Sequence, residues 1–284
     1  MATKLTILFL LILPFANLSD IMISSGLGGW THDQLWLQYT SFKAYKNMSL
    51  INTISILSYN LQENGMLGVY QTNDSYWNAE TYQQFLKQKL GVKAIPCIYC
   101  DATIGMCSGL SNRLEKLYLN SSGFINDTLY RASTYGWDGY IVDFEPDDTV
   151  NTTKLTDFIF NWSKQLETNG LSLTLWIGGN TPYDNRIYNY SKINLITMNT
   201  YSQSYEEFLS VAAPLQTSVI DITKLGFGLL TNYYTGKDFG NVTDDSDIMQ
   251  IIKWSILTKS GSLSLWASHI SPDWYEALQL YLSS

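Results

Sequence analysis

The sequence is poor in the residues that hold metals, cofactors and nucleic acids. It has two histidines and three cysteines in 284 residues, so a His- or Cys-based metal centre has few ligands to draw on. Cys97-x-x-Cys100 lacks the second pair that a zinc site uses, and no cofactor is implied. Cys97 and Cys100 lie on a strand-like run at opposite parity, so they face opposite ways. The expected disulfide joins Cys100 to Cys107 and closes the following loop, in an oxidising compartment. Charged residues make up only 15% of the chain, net charge is −8 and no basic cluster occurs. Binding to nucleic acid or to an anionic membrane by charge is therefore excluded as the expected function.

Long apolar runs are missing too, with one exception. Leu5 to Phe15 is almost wholly apolar, follows Lys4 and precedes Ala16-Asn17-Leu18-Ser19. That run is too short to span a bilayer, and its flanks are those of a secretory signal peptide over residues 1–19. The mature chain, 20–284, is expected to be a soluble monomer, exported or sent to a lysosome-like compartment. Eight Asn-x-Ser/Thr sequons after the signal, at Asn47, Asn73, Asn120, Asn126, Asn151, Asn161, Asn189 and Asn241, agree with a secretory route and a glycosylated surface. No linker or low-complexity segment divides the remainder, so a single domain is expected.

What the sequence has in quantity is aromatic residues, 14% of the chain with 20 Tyr and 9 Trp, which suit a neutral, hydroxyl-rich partner. It also has a regular alternation. Strand-like segments occur at 21–25, 51–59, 92–100, 140–145, 171–177, 195–201, 225–230 and 262–266. Helical patterns follow seven of them, at 33–47, 78–90, 111–119 with 126–134, 152–169, 204–213, 245–259 and 272–282. Pro96 sits awkwardly inside the third strand. Eight strands in regular alternation with helices over this length predict an α/β fold, a (β/α)8 TIM barrel. A doubly wound open sheet is the alternative, although no Gly-x-Gly-x-x-Gly follows the first strand.

The fourth strand carries the chemistry. In Trp137-Asp138-Gly139-Tyr140-Ile141-Val142-Asp143-Phe144-Glu145 an apolar run is broken by one carboxylate and ended by another. Burying a charge costs several kcal/mol or more without compensation, so these acids need a function. Alternation puts Ile141, Asp143 and Glu145 on one face. In a barrel the C-terminal strand ends form the active site, where Asn199 and Tyr201 of strand six and Trp266 of strand eight also fall. Taken singly, Tyr201 and Trp266 fit core packing as well as ligand contact. Asp147 and Asp148 fit a solvated loop or a helix start.

Asp138-Gly139-Tyr140-Ile141-Val142-Asp143-Phe144-Glu145 resembles the strand-four motif Asp-x-x-Asp-x-Asp-x-Glu of glycoside hydrolase family 18, the chitinases and endo-N-acetylglucosaminidases. Ile141 stands where the family has its second Asp, and Ile95-Pro96-Cys97-Ile98 replaces the usual Ser-x-Gly-Gly of strand three. The resemblance spans the whole mature chain and implies cleavage of β-linked N-acetylglucosamine, in chitooligosaccharides or N-glycans, with help from the substrate's own acetamido group. It makes Glu145 the acid and base, and Asp143 the acceptor that orients the acetamide. An ionised Asp143 would raise the pKa of Glu145. Tyr201 is implied to donate to the acetamide oxygen, Trp266 to floor the sugar, and Asn199 to share the face of Tyr201. Asp138, at opposite parity, is expected to be structural. Two other readings stay open: a chitinase-like carbohydrate-binding protein with little or no turnover, and a barrel hydrolase of another sugar class.

Overall fold

Short β-branched runs separated by capped helices bring the strands side by side in one direction. The computed structural model of the protein describes residues 20–26, 30–101, 107–146, 149–178, 182–201, 204–219, 221–230, 246–266, 270 and 272–284. The leader at 1–19, the Asn241 sequon, Asp147 and Asp148 lie outside these residues.

Seven of the eight barrel positions are single strands: β1 (Asp20–Ser25), β2 (Thr53–Leu61), β6 (Gly139–Glu145), β7 (Ser172–Ile177), β8 (Asn194–Thr197), β9 (Leu225–Leu230) and β10 (Ser262–Trp266). The remaining position, between β2 and β6, is shared by β4 (Lys93–Ala94) and β5 (Cys97–Asp101). All the pairings around the barrel are parallel, and β1 closes the circle by pairing β10 on one side and β2 on the other. A short antiparallel arm, β3 (Leu67–Val69), folds back on β2. The protein is thus a closed (β/α)8 barrel, as the alternation predicts.

The helices are α1 (His32–Asn47), α2 (Ala79–Leu90), α3 (Leu110–Leu119), α4 (Ser121–Tyr135), α5 (Thr152–Thr168), α6 (Tyr205–Ser218), α7 (Asp247–Thr258) and α8 (Tyr275–Ser283). Side-chain caps set several starts: Asn78 accepts from Thr81 N–H, Asn151 from Lys154 N–H and Ser204 from Glu207 N–H. Gly91 ends α2 in a left-handed conformation with φ 62°, which a side chain would strain.

Two strands depart from the sequence expectation. The third breaks at Pro96, whose ring nitrogen has no hydrogen to give, yet the ladder resumes because Ile141 N–H donates to the Pro96 carbonyl at 3.0 Å. Strand six stops at Thr197 rather than continuing to Tyr201. Met198–Thr200 form a 3-10 turn, started by the Thr197 hydroxyl accepting from Asn199 N–H. Thr200 donates its hydroxyl to the carbonyls of Thr197 and Gly228, so a tertiary bond to β9 wins over extension of the strand.

Alternation sorts the strand side chains into two cores. The outward set, including Ile54, Ile98, Val142, Leu175, Phe227 and Leu265, packs in one large cluster with the helices. The inward set is a small apolar layer of Met22, Ile95, Cys97, Ile141, Trp176 and Ile196. That layer lies under the acids.

Candidate active site

Glu145 and Asp143 occupy the C-terminal end of β6, on the inward face with Ile141. Across the ladder, β5 presents Cys97, Tyr99 and Asp101 in register with Ile141, Asp143 and Glu145. Side chains that are register partners on one face are neighbours, so Tyr99 flanks Asp143 and Asp101 flanks Glu145. The Tyr99 hydroxyl donates to Asp101 Oδ2 at 2.9 Å. Asp143 is 4% exposed and Asp101 5%, whereas Glu145 is half-buried.

The electrostatics follow from that burial. Desolvation raises the pKa of Asp143 well above the usual carboxylate range, and the charges of Glu145 and Asp101 push it further. Burial raises Glu145 as well, followed by the charge of Asp101. The push on Glu145 expected from Asp143 therefore comes from Asp101 instead, because Asp143 is the deeper group and is itself driven towards its neutral form. Burial and the two β6 acids keep Cys97 a thiol. Asp143 Oδ1, Trp176 Nε1 and the Tyr183 hydroxyl are buried and have no hydrogen-bond partner among the described groups. Tyr183 is raised by burial and then by the charge of Asp143, which marks the two as neighbours.

The aromatic rim is assembled by β7 to β10. Tyr201 is half-buried just past the 3-10 turn, its ring 5.9 Å from that of Trp176. Gly228 makes this approach feasible, since a Cβ there would stand 2.7 Å from Tyr201 Cε1 and 2.8 Å from Trp176 Cζ3. Trp266 ends β10, beside Ser24 of β1 and Leu230 of β9. It shares its parity with Ser264, whose hydroxyl meets that of Ser24 at 3.3 Å, so it belongs to the inward set at the rim. Asn199 does not follow the expected alternation with Tyr201. It lies exposed on the 3-10 turn, with Oδ1 3.7 Å from where a Cβ on Gly178 would sit.

No protein-family model and no curated protein matches the sequence. Solved structures do match. A chitinase from Chromobacterium violaceum superimposes with TM-score 0.67 at 14% identity, over 93% of this chain and 99% of that one. A GH18 chitinase from Cycas revoluta in complex with (GlcNAc)3 gives TM-score 0.61 at 12% identity, over 92% and 98%. The spore cortex-lytic enzyme SleL of Bacillus cereus gives TM-score 0.70 at 11% identity, over 93% and 74%. The fold is that of the family 18 chitinases.

Set beside the family 18 chitinase motif, the departure at Ile141 has a physical setting. Ile141 is fully buried, in register with Cys97 on one side and Thr174 on the other, within the inner layer that also holds Trp176, where a carboxylate would meet no cationic partner among the described residues. Asp138, the motif's first acid, accepts from Lys87 Nζ at 2.6 Å and from Ala94 N–H at 2.8 Å. It ties α2 and β4 to the start of β6. It also lines a polar concavity with Asp20, Lys93, Lys192 and Lys224 at the N-terminal mouth, the opposite end from Asp143 and Glu145. Barrel chemistry sits at the C-terminal end, away from this concavity. Cys100 and Cys107 form the expected disulfide, leaving Cys97 free and buried.

Three groups around the acids, Tyr99, Asp101 and Tyr183, were not among the residues read from sequence. Tyr99 and Asp101 had a signal. Extending the parity of Cys97 along its own strand by two and four residues reaches both.

Proposed function

We propose that the protein is a glycoside hydrolase that cleaves β-linked N-acetylglucosamine, in chitooligosaccharides or N-glycans, by a substrate-assisted retaining mechanism. The observation that carries this reading is the pair on β6: a half-buried Glu145 with raised proton affinity, beside a buried Asp143 whose Oδ1 has no partner among the described groups. Two carboxyls on one face of one strand are poorly placed for attack from opposite sides of a sugar ring, which favours participation by the substrate's acetamido oxygen.

In this reading the Glu145 carboxyl gives its proton to the glycosidic oxygen as the bond to the anomeric carbon breaks. The acetamide oxygen bonds to that carbon and forms an oxazolinium ion. Asp143 Oδ1 accepts the acetamide N–H and so aims the oxygen, while the Tyr201 hydroxyl donates to it. The Glu145 carboxylate then takes a proton from water, whose oxygen attacks the same carbon and reopens the ring with retention. Trp266 supports the apolar face of the sugar and Asn199 binds at the edge.

The second reading is a carbohydrate-binding, chitinase-like protein that turns over slowly or not at all. Ile141 in place of the motif's second acid favours it, because the layer beneath Asp143 offers no acid among the described residues to exchange a proton with. Incubation with chitooligosaccharides and with a high-mannose glycopeptide separates the two. Turnover with retained anomeric configuration, reduced about 10²–10⁴-fold or more by Glu145→Gln, is the expected result. Tight binding by the wild type without product would select the binding reading, and turnover unaffected by Glu145→Gln would exclude the mechanism.

We further propose export and glycosylation. In support, the seven sequon asparagines within the described residues are all exposed, from Asn47 to Asn189. A mobility shift on treatment with an N-glycanase, using protein secreted from eukaryotic cells, checks this; identical mobility would count against it.

A further inference from the structure

The two acids of β6 have a third carboxyl beside them that the reading above leaves without a task. Asp101 closes β5 in register with Glu145. Although 5% exposed, it is held by the Tyr99 hydroxyl at 2.9 Å, and Tyr99 is in turn the register partner of Asp143. The layer below, Cys97 beside Ile141, is apolar. Negative charge near the β6 acids is thus supplied from the neighbouring strand, two inward positions above the level of Ile141.

We propose that Asp101 is a positioning residue of this site: its carboxylate, fixed by Tyr99, holds Glu145 in the protonated, acid form. The proposal rests on the reading of Glu145 as the proton donor. Three carboxyls in one partly desolvated patch cannot all be charged, and a donated hydrogen bond favours the charged form of the acid that receives it. The Tyr99 hydroxyl therefore selects Asp101 as the ionised member. Burial raises the proton affinity of Asp143 and of Glu145, and the charge of Asp101 adds to both. Among the described residues, the other titratable groups around the patch are Cys97 on β5, Tyr70 beyond β3 and Tyr183 beyond β7, all kept neutral by burial, and the Tyr201 hydroxyl on the rim. The guanidinium of Arg113, on α3, acts on Tyr70 but is hydrogen-bonded to the Leu61 carbonyl at 2.6 Å.

A unit charge about 6 Å away at an effective dielectric near 20, discounted for the half exposure of Glu145, moves a carboxyl by about one pH unit. Asp101→Asn keeps the shape and the bond to Tyr99 but removes the charge. The alkaline limb of its kcat/KM profile is expected about one unit lower, with a loss of about tenfold above that limb and little change below it. Asp101→Glu should restore the limb. In parallel, 13C-carboxyl NMR titration, with the Glu145 signal assigned by its loss in Glu145→Gln, should show Glu145 titrating about one unit lower in Asp101→Asn. An equal loss of rate at every pH, or a Glu145 titration unchanged by the substitution, would overturn the proposal. Absence of wild-type turnover would instead remove the hydrolase reading, and the NMR titration would still decide the role of Asp101.

Discussion

Restoring the acid that family 18 carries at position 141 should weaken this protein rather than improve it. Ile141→Asp removes a side chain that is fully buried, in register with Cys97 and Thr174. Loss of its transfer energy costs about 1.5–3 kcal/mol, and an unpaired buried carboxyl, even when neutral, adds about 1–3 kcal/mol. The variant should therefore be roughly 2.5–6 kcal/mol less stable already near pH 4, a large share of the ~5–15 kcal/mol that holds a domain folded. The deficit should then grow with pH. Burial would raise the folded pKa of the new acid above its unfolded value near 4, so the folded state binds more protons and stability falls as pH rises between the two values. A carboxyl kept neutral to pH 7 would lose up to about 4 kcal/mol more. Urea unfolding of Ile141→Asp and Ile141→Asn at pH 4 and pH 7 checks this, because the Asn variant has the same polar intrusion without the titration. Equal stability of the two variants at both pH values, or wild-type stability of Ile141→Asp, would refute the apolar inner layer.

The buried acid that the protein does carry should show the same sign. Asp143→Asn is expected to raise stability by about 0.5–2 kcal/mol at pH 7 but not at pH 4, because the raised folded pKa of Asp143 loses stability as pH rises above the unfolded value; thermal unfolding at the two pH values reads it, and turnover should fall at the same time. Gly228→Ala should cost about 1–3 kcal/mol, since the added methyl would meet Tyr201, Trp176 and the Thr197 carbonyl at 2.7, 2.8 and 2.9 Å. Its KM should rise as Tyr201 is displaced, and an unchanged KM would argue against Tyr201 as a substrate contact. Asp138→Ala should lower stability by about 1–2 kcal/mol by leaving Ala94 N–H without its acceptor and removing the carboxylate from Lys87, which keeps only the Gly136 carbonyl among the described residues. Its kcat per folded molecule should match the wild type, and a fall in kcat would move Asp138 into the reacting machinery.

The parts of the fold that could be read from sequence are those set by local periodicity and caps. Strand four, with Asp143 and Glu145 on one face, needs only the period of two, and α2 needs only Asn78 and Gly91 at its ends. Strand six was misread because Leu195 to Tyr201 alternates well by itself. Its early end depends on Thr200 reaching the Gly228 carbonyl on β9, a contact with no local signature. The arm β3 was hidden for a similar reason, because Leu67–Val69 is too short to show a period and is defined by its pairing with β2. In the site, the charge acting on Glu145 was assigned to the nearest acid in sequence, whereas register brings Asp101 beside it from 44 positions earlier. Ladder register between distant strands depends on the whole barrel closing, so no window of residues around Glu145 contains it.

The Cys100–Cys107 bond takes on a different meaning once Asp101 is placed. Cys100 faces outward from β5 between the two inward residues Tyr99 and Asp101, and its partner is seven positions along the chain. One short covalent ring thus begins on the strand end that delivers the third carboxyl. Made in a reducing host, the chain can complete the same barrel from its hydrophobic layers and still leave that strand end untethered. Correct folding and a competent catalytic rim would then be separate milestones, and the choice of expression compartment would decide whether a purified sample reports on the enzyme or only on its scaffold.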